Sequence, residues 1–251
     1  MPLKTLDISL ELLGYFTAHH PSWGVREMSQ QTGLSPSAVQ RIMSTLAKKG
    51  FLRQQPETRR YELGVRFWEL GVLYRDRLQL CDAPATWLQE VALGQGETVY
   101  LNFLENRTAV CVQVAKSSEH VQLNINPGER TPLHLGSRGK AMLAFLPRDQ
   151  QMAILEDVFA PESGADRETR KTALQEDLKN VQSSGFSISR SERLSDVVGL
   201  SFPILDIRNL VIGSVTIGGP NSRMTDSKLN TCLPVIKQLS NKLQDHFRNF
   251  L

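Results

Sequence analysis

The residues best placed to do chemistry lie in GVREMSQQTGLSPSAVQRIMSTLAKKG, residues 24–50. Ser37, Gln40, Arg41, Ser44 and Lys48 recur at helical spacing, so a helix started at Ser35-Pro36 presents them on one face. That face offers hydroxyl, amide and guanidinium donors and no carboxylate, a set suited to phosphate oxygens and base edges. Val39, Ile42, Met43 and Leu46 fall at i, i+3, i+4, i+7 on the other side and form the stripe that anchors such a helix. Ser35 is a capping residue type, and Pro36 suits the first helical position. The spacing predicts a recognition helix for the major groove of double-stranded DNA. Ser35 and Ser37 would sit on phosphate, with Gln40 and Arg41 reaching toward adenine and guanine edges and Ser44 on the same face.

Such a helix needs a scaffold. Upstream, Leu6, Leu10, Leu13 and Phe16 predict a helix that closes the core and ends near His19-His20. Gly33 supplies the positive φ of a tight inter-helix turn. Downstream, residues 51–55 and 60–63 alternate around Pro56-Glu57-Thr58-Arg59, which predicts a hairpin with Arg53, Arg59 and Arg60 on or beside it. The assembly reads as a winged helix-turn-helix whose Arg59 and Arg60 place the wing on DNA. A small protein-binding domain would not explain why basic residues cluster on the two elements that would meet DNA. Residues 1–64 hold eight Lys or Arg against five Asp or Glu, and the whole chain also nets +3, so the remainder is neutral. Only the first quarter has a field that attracts DNA.

The 251 residues and 40% hydrophobic content allow two domains, each with a core. Neither a signal-peptide layout nor a run of membrane-spanning length is visible. Cys81, Cys111 and Cys232 are widely separated without a CxxC, which fits a reducing cytoplasm rather than disulfides or zinc. The five histidines have no metal spacing, and no cofactor motif is present. The expected organisation is a DNA-binding domain over 1–64, a linker helix over 65–80 and a third region over 81–251. On the linker, Phe67, Leu70, Tyr74 and Leu78 form a stripe that packs either on its own DNA-binding domain or on a second copy. The second arrangement makes a homodimer and sets the half-site spacing. Asp82-Ala83-Pro84 marks the boundary. Beyond it, strands are expected over 99–104, 109–114, 121–125, 186–189, 201–205 and 210–217. Helices are expected over 138–145, 149–157, 167–184 and 225–247. Strands that arrive as hairpins predict a mainly antiparallel sheet carrying helices, α+β in class.

Three ordered stretches carry a family resemblance over essentially the whole chain. They are GLSPSAVQRIMSTLAKKGFL with RRYELG, PGERTPLHLGSRGKAMLAFLP, and SGFSISRSERLSDVVGLSFPILD followed by LVIGSVTIGGPNSRMT. The chain resembles bacterial transcription regulators of the IclR family. The resemblance implies a winged helix-turn-helix, a linker helix and a GAF-like C-terminal domain that binds a small organic acid or aromatic metabolite. It also implies homodimers, or tetramers made of two dimers, acting as repressors or activators. Pockets of the family use backbone amides where a loop enters a helix, which corresponds here to Gly136, Ser137 and Arg138. Amides at a helix start favour an anion on physical grounds as well. The facing strands place Ser189, Gly199, Thr216 and Gly218 where the family often has an acidic residue, a cysteine and two serines. The two glycines are expected to leave room for a ligand bulkier than glyoxylate or pyruvate. Arg138 either points inward, where it would hold a carboxylate, or outward into solvent.

Catalysis finds little support. Ser137 and Lys140 match SxxK without the Ser-Asp-Asn or Lys-Thr-Gly partners of acyl-transfer enzymes. A phosphate loop would need a hydroxyl residue where Ala141 stands. Ser191-Glu192-Arg193 reads as a solvated connection, and no nucleophile, base and stabiliser occur together. Two functions remain: a regulator whose C-terminal domain senses a metabolite, or one whose C-terminal domain serves only oligomerisation or partner binding.

Overall fold

The computed structural model describes residues 3–17, 19–77, 82–120, 122–161 and 165–248. The chain divides into two compact units, residues 1–77 and 78–251.

The first unit contains α1 (Lys4–Leu13), β1 (Ser22–Trp23), α2 (Val25–Thr32), α3 (Pro36–Lys48), β2 (Leu52–Gln54), β3 (Tyr61–Leu63) and α4 (Arg66–Arg77). Ser35 caps α3 by accepting the Ala38 N–H, and Gly33 takes φ 71° at the end of α2. Val39 and Met43 are fully buried with Leu12, Met28, Leu52 and Tyr61, so the predicted stripe of α3 is its anchor. The hairpin forms as expected. Its third strand, β1, was not anticipated; two residues cannot show alternation, and β1 is recruited by pairing Trp23 with Tyr61.

Two expectations for this unit need correction. Leu6 and Leu10 are 55% and 59% exposed, and Leu12 is the buried residue of α1. The helix ends at Leu13, short of His19-His20, so only its last turn reaches the core and Phe16 enters from the following turn. On α4 no residue is buried; Phe67 is half-buried edge-on to Phe51, while Leu70 and Tyr74 are exposed. Leu78 lies outside the described residues, as does Cys81.

The second unit begins with α5 (Asp82–Gln95), where the sequence suggested only a boundary. Proline is tolerated in a first helical turn, so Pro84 does not interrupt it. Then follow β4 (Thr98–Glu105), β5 (Thr108–Ala115), β6 (Arg130–Pro132), α6 (Gly136–Leu143), α7 (Arg148–Phe159), α8 (Ala165–Ser184), β7 (Ser187–Arg190), β8 (Val197–Leu205), β9 (Val211–Pro220) and α9 (Asp226–Phe247). The sheet runs β6-β5-β4-β9-β8-β7, antiparallel throughout, and the α+β class holds. Asn106 and Arg107 both have positive φ, as a tight two-residue hairpin requires. The strand expected over 121–125 is absent among its described residues. Leu123 and Ile125 instead bury their side chains against Tyr100 and Cys111, and β6 takes the edge of β5.

Strand alternation sorts the two faces of the sheet. Val99, Leu101, Val198, Leu200, Val215 and Ile217 form a dry core with α5 and α9. Their neighbours Tyr100, Asn102, Gly199, Ser201, Ser214 and Thr216 face the other way, beneath α6. All eight residues of α6 are buried. Close approach is possible because residue 139 is glycine: an added Cβ would lie 2.6 Å from the Leu133 carbonyl oxygen. Gly139→Ala should therefore destabilise the second unit by about 1–3 kcal/mol. Gly94→Ala, in open space on α5, should stabilise it by about 0.5–1 kcal/mol. Urea unfolding of the two variants checks the contrast.

Candidate functional site

Two sets of residues were singled out by sequence, one on each unit. On the first, Ser37, Gln40 and Arg41 are exposed along α3, and Ser44 is half-buried. Ser35 and Ser37 hydroxyls lie 3.2 Å apart at its start. Gln40 Nε2 donates to the Tyr61 hydroxyl at 3.1 Å, which ties the amide to the wing. The Ser44 hydroxyl donates to the Arg41 carbonyl. Arg41 and Arg59 side chains engage no protein partner among the described residues, and Arg59 sits at the wing tip with φ 57°. Both guanidiniums are available to an external anion.

Arg60 is different. It is half-buried, donating from Nε to Ser22 Oγ (3.0 Å) and from Nη2 to the Ser22 carbonyl (2.7 Å) and Glu27 Oε2 (2.7 Å). Glu27 also accepts the Gly24 N–H and contacts His20 Nε2. Its carboxyl is held below the usual range, first by the Gly24 N–H, then by His20 and Arg60. Sequence placed Arg60 on DNA; the structure makes it the brace between β1, α2 and the wing. Arg53 is likewise paired, with Glu62.

On the second unit, the loop into α6 brings together Gly136 (φ 71°), Ser137 and Arg138 as expected. Ser137 Oγ accepts from Ser201 Oγ (2.8 Å), which also contacts Thr216 Oγ1 (2.8 Å). Asn102 Nδ2 donates to Ser214 Oγ (3.3 Å) and Thr216 Oγ1 (3.4 Å). Of the two orientations open to Arg138, the structure shows the inward one, with the side chain 3% exposed. Its guanidinium is already engaged, by Glu129 Oε1 (3.0 Å), Thr131 Oγ1 and Asn102 Oδ1 (3.5 Å). It also lies 5.6 Å from the centre of the Tyr100 ring. Arg193 pairs with the same Glu129. Burial alone would raise the Glu129 pKa, but the hydrogen bond from Arg138 and the charges of both arginines prevail and lower it. Burial pushes the Tyr100 hydroxyl up to about 12 and the Cys111 thiol up to about 12. Both stay neutral, so arginine and glutamate carry the charge around the cavity.

A cavity of about 30 Å³ remains here, lined by Gly136, Ser137, Arg138, Ser189 and Gly199 together with Tyr100, Glu192 and Arg193. Thr216 and Gly218 do not line it. The expectation of extra room at the glycines fails. A Cβ on Gly199 would meet Ser137 Oγ at 2.6 Å, and one on Gly218 would meet Leu123 at 2.9 Å, so neighbouring side chains already fill that space. Ser191-Glu192-Arg193 is not merely a solvated connection either: Glu192 reaches the Gly136 N–H (3.2 Å) and Lys140 Nζ (2.7 Å). Lys140 is 5% exposed and also pairs with Asp177 (3.0 Å), so its ammonium is committed to carboxylates rather than to Ser137. Sequence reasoning missed Tyr100, Asn102, Glu129, Lys140 and Ser201. The alternation of polar with apolar residues in β4, β8 and β9 was the available signal for Asn102 and Ser201.

Among the described residues, no group of three or more His, Cys, Asp or Glu is placed to hold a metal. Nor is any helix among them long and apolar enough to cross a membrane.

Comparison with known proteins gives matches along nearly the whole chain. Residues 5–56 match the IclR helix-turn-helix domain, and residues 72–245 match the bacterial transcriptional regulator IclR C-terminal domain. The HTH-type transcriptional regulator KipR of Bacillus subtilis is 28% identical over 244 residues, 96% of this chain and 97% of KipR. The crystal structure of an IclR transcriptional regulator from Alicyclobacillus acidocaldarius superposes with TM-score 0.79 at 20% identity, covering 98% and 99% of the two chains. An IclR homolog from Microbacterium hydrocarbonoxydans, complexed with 4-hydroxybenzoate, gives TM-score 0.77 at 18% identity, covering 97% and 99%.

The two wing arginines should separate cleanly on mutation. Arg60→Ala should lower the stability of the first unit by about 1–3 kcal/mol, because Glu27 and Ser22 lose their donor. Arg59→Ala should stay within about 0.5 kcal/mol in stability and should weaken binding to every duplex alike. Denaturant melts paired with duplex titrations check both.

Proposed function

Because the chain belongs to the IclR family of DNA-binding transcriptional regulators with a C-terminal effector domain, we propose specific roles for the two sets of residues. Family membership makes operator DNA and a small-molecule effector its partners, and makes it a regulator rather than an enzyme. In this reading Ser35 and Ser37 set α3 on phosphate, Gln40 and Arg41 read bases, Ser44 borders them, and Arg59 places the wing. The exposed Gln40 and Arg41 on a helix anchored by buried Val39 and Met43 support it.

The effector is proposed to be a small organic carboxylate that enters at Gly136, Ser137 and Arg138, with Ser189 and Gly199 opposite; Thr216 supports the floor through Ser201. One observation carries this reading: two cations, Arg138 and Lys140, are almost wholly buried within one helical turn. Protein interiors retain such charge only against anions; Glu129, Asp177 and Glu192 supply them here, and a ligand carboxylate would find the same donors. The homolog holding 4-hydroxybenzoate, an aromatic carboxylate, is consistent with that class. Val65, Trp68, Leu73 and Tyr74 are exposed along α4 and its approach, which supports a homodimer formed through the linker helix, or a tetramer of two such dimers. The proposed setting is the cytoplasm, with ligand occupancy read out as a change in operator affinity.

A cavity of only about 30 Å³ favours one competing reading, in which the C-terminal domain only assembles the protein. A thermal-shift screen of the full chain against keto, hydroxy, sugar and aromatic acids separates the two. A binder at a hundred times its Kd should add about 2.7 kcal/mol, whereas silence across the panel favours assembly. For DNA, Arg41→Ala should cost about 1–3 kcal/mol on the operator and relax preference at one base pair. Equal losses on operator and random duplex would contradict base reading by Arg41.

A further inference from the structure

The loop from β7 to β8, residues 191–196, lies over the cavity, and its Glu192 fills an anion's place. One carboxylate oxygen accepts the Gly136 N–H at 3.2 Å and the other accepts from Lys140 Nζ at 2.7 Å. A helix-start amide and a buried ammonium are the donors that an incoming carboxylate would seek. Arg193, the next residue, is tied to Glu129 and through it to Arg138. Both ends of the loop are bent, with Ser191 at φ 53° and Asp196 at φ 60°. Neither is glycine, so the loop carries a backbone cost in this conformation. Beside Lys140 lies a second cavity of about 180 Å³, lined by Asp177, Asn180 and Ser187. The Ser187 hydroxyl is buried there without a hydrogen-bond partner.

We propose that Glu192 is a tethered occupant of the effector's carboxylate position: the effector binds by displacing it from Gly136 and Lys140, and Lys140 becomes the ligand's counter-ion. The proposal rests on the carboxylate reading of the effector and adds an internal competitor to it. Effector affinity is then lowered by the fraction of time the seat is closed, and the Glu192–Lys140 pair sets the threshold concentration for response.

Chemical rescue tests this without knowledge of the effector. Full-length Glu192→Ala is melted in sodium acetate up to about 100 mM, with sodium chloride at matched ionic strength as control. Acetate should fill the vacated seat and raise the variant's Tm saturably by roughly 2–4 °C, leaving wild type within about 1 °C of its chloride control. The double variant Glu192→Ala/Lys140→Met should lose the response. A folded Glu192→Ala that melts identically in acetate and chloride overturns the proposal. If that variant fails to fold, amide hydrogen exchange of Glu192→Gln replaces it. Exchange over residues 191–196 should then be at least about tenfold faster than in wild type, and unchanged exchange overturns the proposal. Rescue by acetate beside a silent ligand panel would remove the sensing function but keep the Glu192 seat. A panel hit without rescue would remove the seat alone.

Discussion

The second unit is organised around a costly requirement, the burial of two cations in the first turns of α6. Arg138 and Lys140 are two residues apart, so they leave the helix on roughly opposite sides and cannot share one counter-ion. Arg138 is met by Glu129, just before β6, and Lys140 by Asp177 from α8 and Glu192 from the β7–β8 loop. Asp177 and Glu192 lie 37 and 52 residues along the chain from Lys140 and Glu129 only nine from Arg138, so neutralising the two charges fixes a strand edge, a helix and a loop at once. An unpaired cation there would cost several kcal/mol, enough to make these carboxylates structural requirements. The cavity lies between the start of α6 and the β7–β8 loop.

The first unit repeats the logic on a smaller scale. Glu27 accepts from the start of its own helix, from Arg60 on the wing and from His20, whose ring stacks on Trp23 at 4.0 Å. One half-exposed carboxylate thereby joins α2, the wing and the segment before β1. With Arg60 held in this brace, Arg41 and Arg59 are the arginines of α3 and the wing that engage no protein partner among the described residues.

What sequence made legible follows from how local each signal is. Capping by Ser35, the turn at Gly33, the stripe of α3 and the wing hairpin are decided within a few residues, and they appear where expected. So do the strand pairs and the antiparallel class. The stripe of α1 misled because apolar spacing does not say where a helix stops: with its end at Leu13, the buried position moved to Leu12. The Leu123–Ile125 segment misled because alternation shows which residues are buried but not whether a neighbouring backbone is free to pair. At the cavity, Gly136, Ser137 and Arg138 came from the family resemblance, with the anion preference of a helix start in support. Glu129, Asp177 and Glu192 were not foreseen, since only the fold brings carboxylates from three separate segments onto two cations. The glycines at 199 and 218 misled for the converse reason: absence of a side chain is not space when Ser137 and Leu123 already occupy it.

The most direct test of this account is a double-mutant cycle between Lys140 and Glu192, measured by urea unfolding of Lys140→Met, Glu192→Gln and the double variant. If pairing with the buried ammonium holds the loop closed, the cycle should give a favourable coupling of at least about 1 kcal/mol, discounted for the partly exposed carboxylate. Strictly additive losses would mean that the loop and the helix are held together by other forces.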